Sequence, residues 1–199
     1  MAAMFCAFWL LRQAPVVPTR CGGFTLTELL MVTAIASLVM TLALPSMAAM
    51  LGNQKLGAFA SSLLVSLQLA RNDAVKRGAT TVVCKSSDGN LCAATGHWEQ
   101  GWIVFEDNNH NAVHDVDERL IATQDAAPAG ISIRGNTPVA RYVSYNAQGA
   151  TRMVSGALQA GTFTLCNATG SSSIQPRQVI LAVTGRVRIQ SAGTAGACP

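Results

Sequence analysis

The chain has 199 residues, half of them hydrophobic, with 12% charged, 6% aromatic and a formal net charge of +4. Once an N-terminal membrane segment is set aside, the remainder suffices for one compact domain, and no linker is long enough to introduce a second. The net charge is mild and its distribution says more: acids concentrate between Glu106 and Glu118, while the sequence from Ala126 onward holds arginines and no acids, which points to a basic surface in the last third.

From the amino end, MFCAFWLL (Met4 to Leu11) is apolar but too short to cross a bilayer, whereas Phe24 to Leu44 has the roughly 20 residues that crossing requires. A secretory signal would have a shorter apolar core followed by an A-x-A-like site. A lipoprotein would place its cysteine after a short apolar run, but Cys21 follows Pro18-Thr19-Arg20. The remaining reading is cleavage between Gly23 and Phe24 with the whole apolar helix retained. Glu28 lies inside that helix, where an unanswered charge costs several kcal/mol. Cleavage after Gly23 would create an α-amino cation on Phe24, about one helical turn from Glu28.

The stretch G-F-T-L-T-E-L-L, Gly23 to Leu30, resembles the cleavage motif of type IV prepilins and pseudopilins. The resemblance implies that a membrane peptidase cuts after Gly23 and N-methylates Phe24. It also implies that Glu28 pairs with the terminal amine of a neighbouring subunit and sets the stagger of a filament. Residues 1–23 are long for a leader of this family, and initiation near Val16 or Val17 would account for the excess.

Beyond the anchor, Pro45 is expected to kink the helix without ending it, because Met47 to Arg77 stays in helical register. Leu56, Phe59, Leu63 and Leu67 form one apolar stripe. Lys76 and Arg77 suit a helix C-terminus, and Gly78 is a natural stop. A helix from Phe24 to Arg77 would be roughly 80 Å long.

After Gly78 the sequence reads as β. TTVVCKS, HWEQGWIVFED, RLIATQ, ISIRG, ARYVSYN, GTFTLCN and RQVILAVTGRVRIQ are rich in β-branched and aromatic residues and are punctuated by Gly, Asn, Asp and Pro. Val143 to Arg152 and Ile180 to Ile189 each read as strand, tight turn, strand. The expected fold is α+β, one long helix packed on an antiparallel β-sheet head, which is again the pilin organisation. GWIVFEDNNHNAVHDVDERL and VTGRVR look like the GspH/FimT-type minor pilins and pseudopilins.

Four of the six cysteines follow the apolar helix. In an exported domain they allow three pairings, of which Cys84–Cys92, closing the short SSDGN loop, and Cys166–Cys198, pinning the C-terminal tail, are favoured. Zinc is disfavoured, because no two have C-x-x-C spacing and no histidine pair is close to them. Disulfides imply an oxidising compartment such as the periplasm.

No catalytic constellation forms around His97, His110 or His114, and G-x-S-x-G and phosphate-loop motifs are absent, so an anchored enzyme is disfavoured. Asp107, Asn109, Asn111, Asp115 and Glu118 occupy the first, third, fifth, ninth and twelfth places of an EF-hand-like loop. However, Ala112 stands where the sharp turn asks for glycine and strands flank the segment, so a polar hairpin connection without metal is expected. The C-terminal arginines are the stronger functional feature. Arg186 and Arg188 are two apart on a strand and should share a face, with Arg177 at the other end of the hairpin. Guanidiniums without nearby acids suit phosphate, or they solvate an edge strand and discourage strand pairing. G-R-V-R is similar to the G-R-x-R of FimT-like minor pilins that bind DNA in natural transformation. That implies Arg186, Arg188 and Arg177 as DNA contacts, with Lys85, Arg134, Arg141 and Arg152 as auxiliaries.

The resulting expectation is a leader at 1–23, a transmembrane and assembly helix at 24–46, and a periplasmic head at 47–199 on the bacterial inner membrane. Other pilins, the prepilin peptidase and double-stranded DNA are the expected partners, and no cofactor is expected. The alternative is a type II secretion pseudopilin contacting partner pseudopilins and protein cargo.

Overall fold

The computed structural model describes residues 23–168, 173–192 and 198, with the side chains of 42–46 also outside the description. Contacts divide the chain into two compact units, one up to Ala43 and one from Leu44 onward. Helix α1 is Leu26–Arg77.

In the first unit, the helix begins with Thr25, whose hydroxyl accepts the Glu28 N–H at 3.2 Å and caps the first turn. The hydroxyls of Thr33, Ser37 and Thr41 each bond back to the carbonyl three residues earlier, at 3.0, 2.8 and 2.8 Å. Every one of these polar side chains is thereby satisfied within the helix itself. The apolar side chains are exposed all round, from Phe24 at 84% and Leu26 at 76% to Met40 at 63%. Among the described residues, no helix is long and apolar enough to cross a membrane; the apolar run read from the sequence continues into residues 42–44, whose side chains lie outside the description.

In the second unit, Leu56, Ala60, Leu63, Leu67, Ala70 and Ala74 are fully buried and alternate at spacings of four and three along α1. The stripe differs from the expected one: Ala60 takes the buried place and Phe59 is only partly covered. Alanine is a weak signal in a hydrophobic pattern, yet its small side chain lets a sheet approach the helix closely. Gly78 ends α1 in a left-handed conformation, φ +67°, with its N–H on the carbonyl of Ala74 at 2.9 Å.

Eight strands follow: β1 (Thr81–Lys85), β2 (Trp102–Glu106), β3 (Leu120–Gln124), β4 (Ile131–Gly135), β5 (Tyr142–Tyr145), β6 (Gly161–Asn167), β7 (Arg177–Leu181) and β8 (Val187–Ser191). They form two antiparallel four-stranded sheets, ordered β3-β2-β1-β5 and β4-β6-β7-β8. A single main core takes its residues from α1 and both sheets. A smaller cluster of Val82, Cys84, Ile103, Phe105 and Ala112 lies on the other face of the first sheet.

Two expected strands are replaced. HWEQ is not part of a strand: Trp98–Gln100 forms a 3-10 turn ending at Gly101, φ +109°. This buries Trp98 edge-on against Phe163 at 5.1 Å and aims its indole N–H at the Val139 carbonyl at 2.9 Å. The second arm of VSYNAQGATR is also not a strand; Thr151 and Arg152 make only single bridges. The Thr151 N–H bonds instead to the Val183 carbonyl at 3.1 Å, across to the other sheet, so the ladder from β5 stops there.

Candidate functional site

The hairpin β7–β8 carries the arginine pair. Gly185, φ +77°, makes the turn possible; its N–H donates to the Ala182 carbonyl at 2.9 Å, and the Ala182 N–H donates to the Arg186 carbonyl at 3.0 Å. Val187 and Ile189 pack on the main core, so Arg186 and Arg188 project outward from alternate positions and are exposed. The register sets Arg188 opposite Ile180, and Gln190 opposite Gln178 with a 3.0 Å amide bond. A shallow groove of ≈ 420 Å³ is lined by Ile180, Ala182, Thr184, Arg186, Val187 and Arg188. Among the described residues neither guanidinium has an acidic partner.

Arg177 lies on the other face of the hairpin from the pair. It has the parity of Val179 and Leu181, the inward residues of β7, and is paired in register with Ser191 at the end away from the turn. One of its terminal nitrogens donates to Ser191 Oγ at 3.2 Å, and its Nε is buried without a partner among the described residues. Sequence spacing alone could not reveal this, because the hairpin register decides it.

The auxiliary cations separate in the same way. Lys85 is only 5% exposed, donates to the Gly96 carbonyl at 2.7 Å, and has its pKa lowered first by burial and then by Arg141. Arg134 is committed to Glu99, which also accepts the Ile133 N–H at 3.0 Å. Burial pushes the Glu99 carboxyl up, but the bonds from Arg134 and Ile133 outweigh it and hold its pKa below the ordinary glutamate value. Arg141 and Arg152 are exposed.

The structure adds two residues, Arg71 and Thr151, whose role no sequence pattern indicated. Arg71 of α1 reaches Gly149 and Thr184, 78 and 113 residues away, and Thr151 bonds the same hairpin turn.

The acidic loop Asp107–Glu118 is closed on its own backbone. Asp107, 1% exposed, accepts from the N–H groups of Asn111 and Ala112 at 3.1 and 2.9 Å; Glu118 accepts from those of Asn108 and Asp115 at 2.9 and 3.1 Å. Ala112 adopts the left-handed turn that asked for glycine, φ +55°, at a cost of roughly 1–2 kcal/mol that the Asp107 bond offsets. The loop thereby places Ala112 in the smaller cluster, while His114 packs beside Phe105 and bonds the carbonyls of Asn90 and Glu118. Among the described residues no group of three or more His, Cys, Asp or Glu could hold a metal ion.

Cys84 and Cys92 are joined by a disulfide, as are Cys166 and Cys198. At the amino end, Gly23, Phe24 and Glu28 are exposed, and nothing lies within 4 Å of a Cβ added at Gly23.

An exposed apolar N-terminal helix and a helix-backed antiparallel β head together define the pilin and pseudopilin class. The prokaryotic N-terminal methylation motif matches residues 18–44, and the family model of the type II transport protein GspH matches residues 60–185. The chain belongs to the GspH family. No curated protein matches it in sequence. Among solved structures it is similar to the type IV minor pilin FimU of Pseudomonas aeruginosa strain PAO1. In one crystal form the TM-score is 0.53, at 19% identity over 73% of this chain and 93% of that one. A second crystal form gives 0.50, at 18% identity over 71% and 96%. It is also similar to the minor pseudopilin EpsH of Vibrio cholerae, with a TM-score of 0.48 at 12% identity over 70% and 98%.

Proposed function

We propose that this protein is a minor pilin-type subunit that uses the β7–β8 hairpin to hold DNA at a type IV pilus. The carrying observation is the outward pair Arg186 and Arg188, exposed at the turn and on β8 with no acidic partner among the described residues. On this reading the prepilin peptidase cuts between Gly23 and Phe24 at the inner membrane. The freed amine of one subunit then answers Glu28 of the next, and the head faces the periplasm. Two arginines whose Cα atoms are about 6.6 Å apart along extended backbone can reach neighbouring phosphates without reading bases, so binding is sequence-independent. The likeness in fold to FimU, a type IV minor pilin, supports the pilus setting.

Fluorescence anisotropy of the full chain in detergent, against a mixed-sequence duplex, tests this. Wild type should bind with an affinity that falls steeply with salt, and Arg186→Gln plus Arg188→Gln should lower the salt slope by about 1.8. Unchanged affinity and slope in the double variant would refute the assignment. The match to the type II transport protein GspH supports a second reading, a pseudopilin whose head meets partner pseudopilins and protein cargo. A chain that binds no DNA, yet restores secretion to a strain lacking its gene, would favour that reading.

A further inference from the structure

The hairpin tip is held from outside by contacts that the arginine pair does not make. Arg71 donates through Nε to the Gly149 carbonyl at 2.9 Å and through a terminal nitrogen to the Thr184 carbonyl at 3.1 Å. Those acceptors lie on two different turns, one after β5 and one at the tip of β7–β8. The turns also touch directly: a Cβ on Gly185 would lie 2.0 Å from the Gly149 carbonyl oxygen. Gly149 is in turn packed on α1, where a Cβ would meet Val75 at 2.9 Å. Thr151 adds a third tie, its N–H on the Val183 carbonyl at 3.1 Å, while its hydroxyl donates to the Gln159 carbonyl at 2.6 Å. Arg186 is the next residue after Gly185.

By charge alone, Arg71 would count as a third phosphate contact beside the pair. Its geometry argues otherwise, because Nε and one terminal nitrogen, the edge of the guanidinium that would grip a phosphate in a two-bond fork, are already directed at carbonyls. We infer that Arg71 is a positioning residue: it fixes the turn from which Arg186 and Arg188 project and does not itself contact phosphate. The inference rests on the DNA reading of the hairpin. Two long side chains grip neighbouring phosphates well only if their base is held beforehand, since ordering it on binding would weaken affinity. Losing the Arg71–Thr184 bond, which is exposed, leaves that carbonyl open to water, and losing the half-buried Arg71–Gly149 bond loosens the turn locally while the core of α1 and the two sheets is untouched.

The test uses the full chain in detergent with Arg71→Met, Arg71→Lys and Arg186→Gln, read by anisotropy on a mixed-sequence duplex over a salt series and by amide hydrogen exchange. Arg71→Met should bind about tenfold more weakly. Its salt slope should be unchanged, and the Gly185 amide should exchange faster. Arg71→Lys, which can hold one carbonyl, should recover part of both. Arg186→Gln should lower the slope by about 0.9 and leave exchange as in wild type. Unchanged Gly185 exchange in Arg71→Met overturns the inference, as does a reduced salt slope in that variant. A wild-type chain that binds no duplex overturns the DNA reading and this inference with it. Exchange needs no DNA, so the two failures are told apart.

Discussion

Glu99 shows how one carboxylate ties separate segments together. It sits in the 3-10 turn before β2, yet it accepts from the Ile133 N–H and the Arg134 guanidinium, both on β4 of the other sheet. Its pKa in the folded protein is depressed below the ordinary 4.5. The unfolded chain therefore binds a proton at Glu99 before the folded chain does, and the stabilisation is present above the ordinary value and fades as pH falls below it. Thermal unfolding followed between about pH 6 and pH 3 should show wild type losing more stability than Glu99→Gln across the acid limb. At neutral pH Glu99→Gln should be the less stable of the two. Parallel acid limbs in the two proteins would mean that the Arg134 contact contributes nothing to folding.

At the level of elements, each disulfide does a different job. Cys84–Cys92 ties the end of β1 to the loop over the smaller cluster, and Cys166–Cys198 ties the C-terminal end of β6 to Cys198 in the C-terminal tail. Their separations of 8 and 32 residues translate, on the loop-entropy argument, into about 2.5 and about 3.7 kcal/mol. Replacing Cys166 and Cys198 together by Ser should thus lower the urea midpoint more than replacing Cys84 and Cys92. The reverse order would indicate that shielding of the smaller cluster outweighs the entropy of the longer loop. Most strands were legible because their β-branched runs and turn residues act locally, as at Thr81–Lys85 and across Gly185. Three features were not, and each depends on a partner distant in sequence. Trp98 leaves the strand pattern to reach Val139, Thr151 leaves it to reach Val183, and Arg177 takes the inward face because β8 fixes its register. The clamp at Arg71 was illegible for the same reason: an arginine on a polar helix face reads as solvated until the turns at Gly149 and Thr184 are brought to it.

For the whole molecule, the decisive contrast is between a unit with a core and one that buries no apolar side chain among its described residues. From Leu56 onward, apolar side chains of α1 close on two sheets. Between Phe24 and Thr41 they are exposed on every side while the hydroxyls of Thr33, Ser37 and Thr41 are satisfied inside the helix, which suits an apolar surround. Glu28 is the exception: exposed, with no ion pair among the described residues, its backbone N–H bonded to the Thr25 hydroxyl. If its partner is the amine released on Phe24, two substitutions should fail at different stages. Gly23→Leu should leave the leader attached, seen as an unshifted band on a gel. Glu28→Ala should be cleaved and inserted into membranes normally, because removing a charge from an apolar helix favours insertion. It should nevertheless be strongly depleted from sheared filaments, since the subunit amine it would have met is left unpaired in low dielectric. Cleaved Glu28→Ala found in filaments at the wild-type level would show that the carboxylate only reaches toward the lipid headgroups and has no part in assembly.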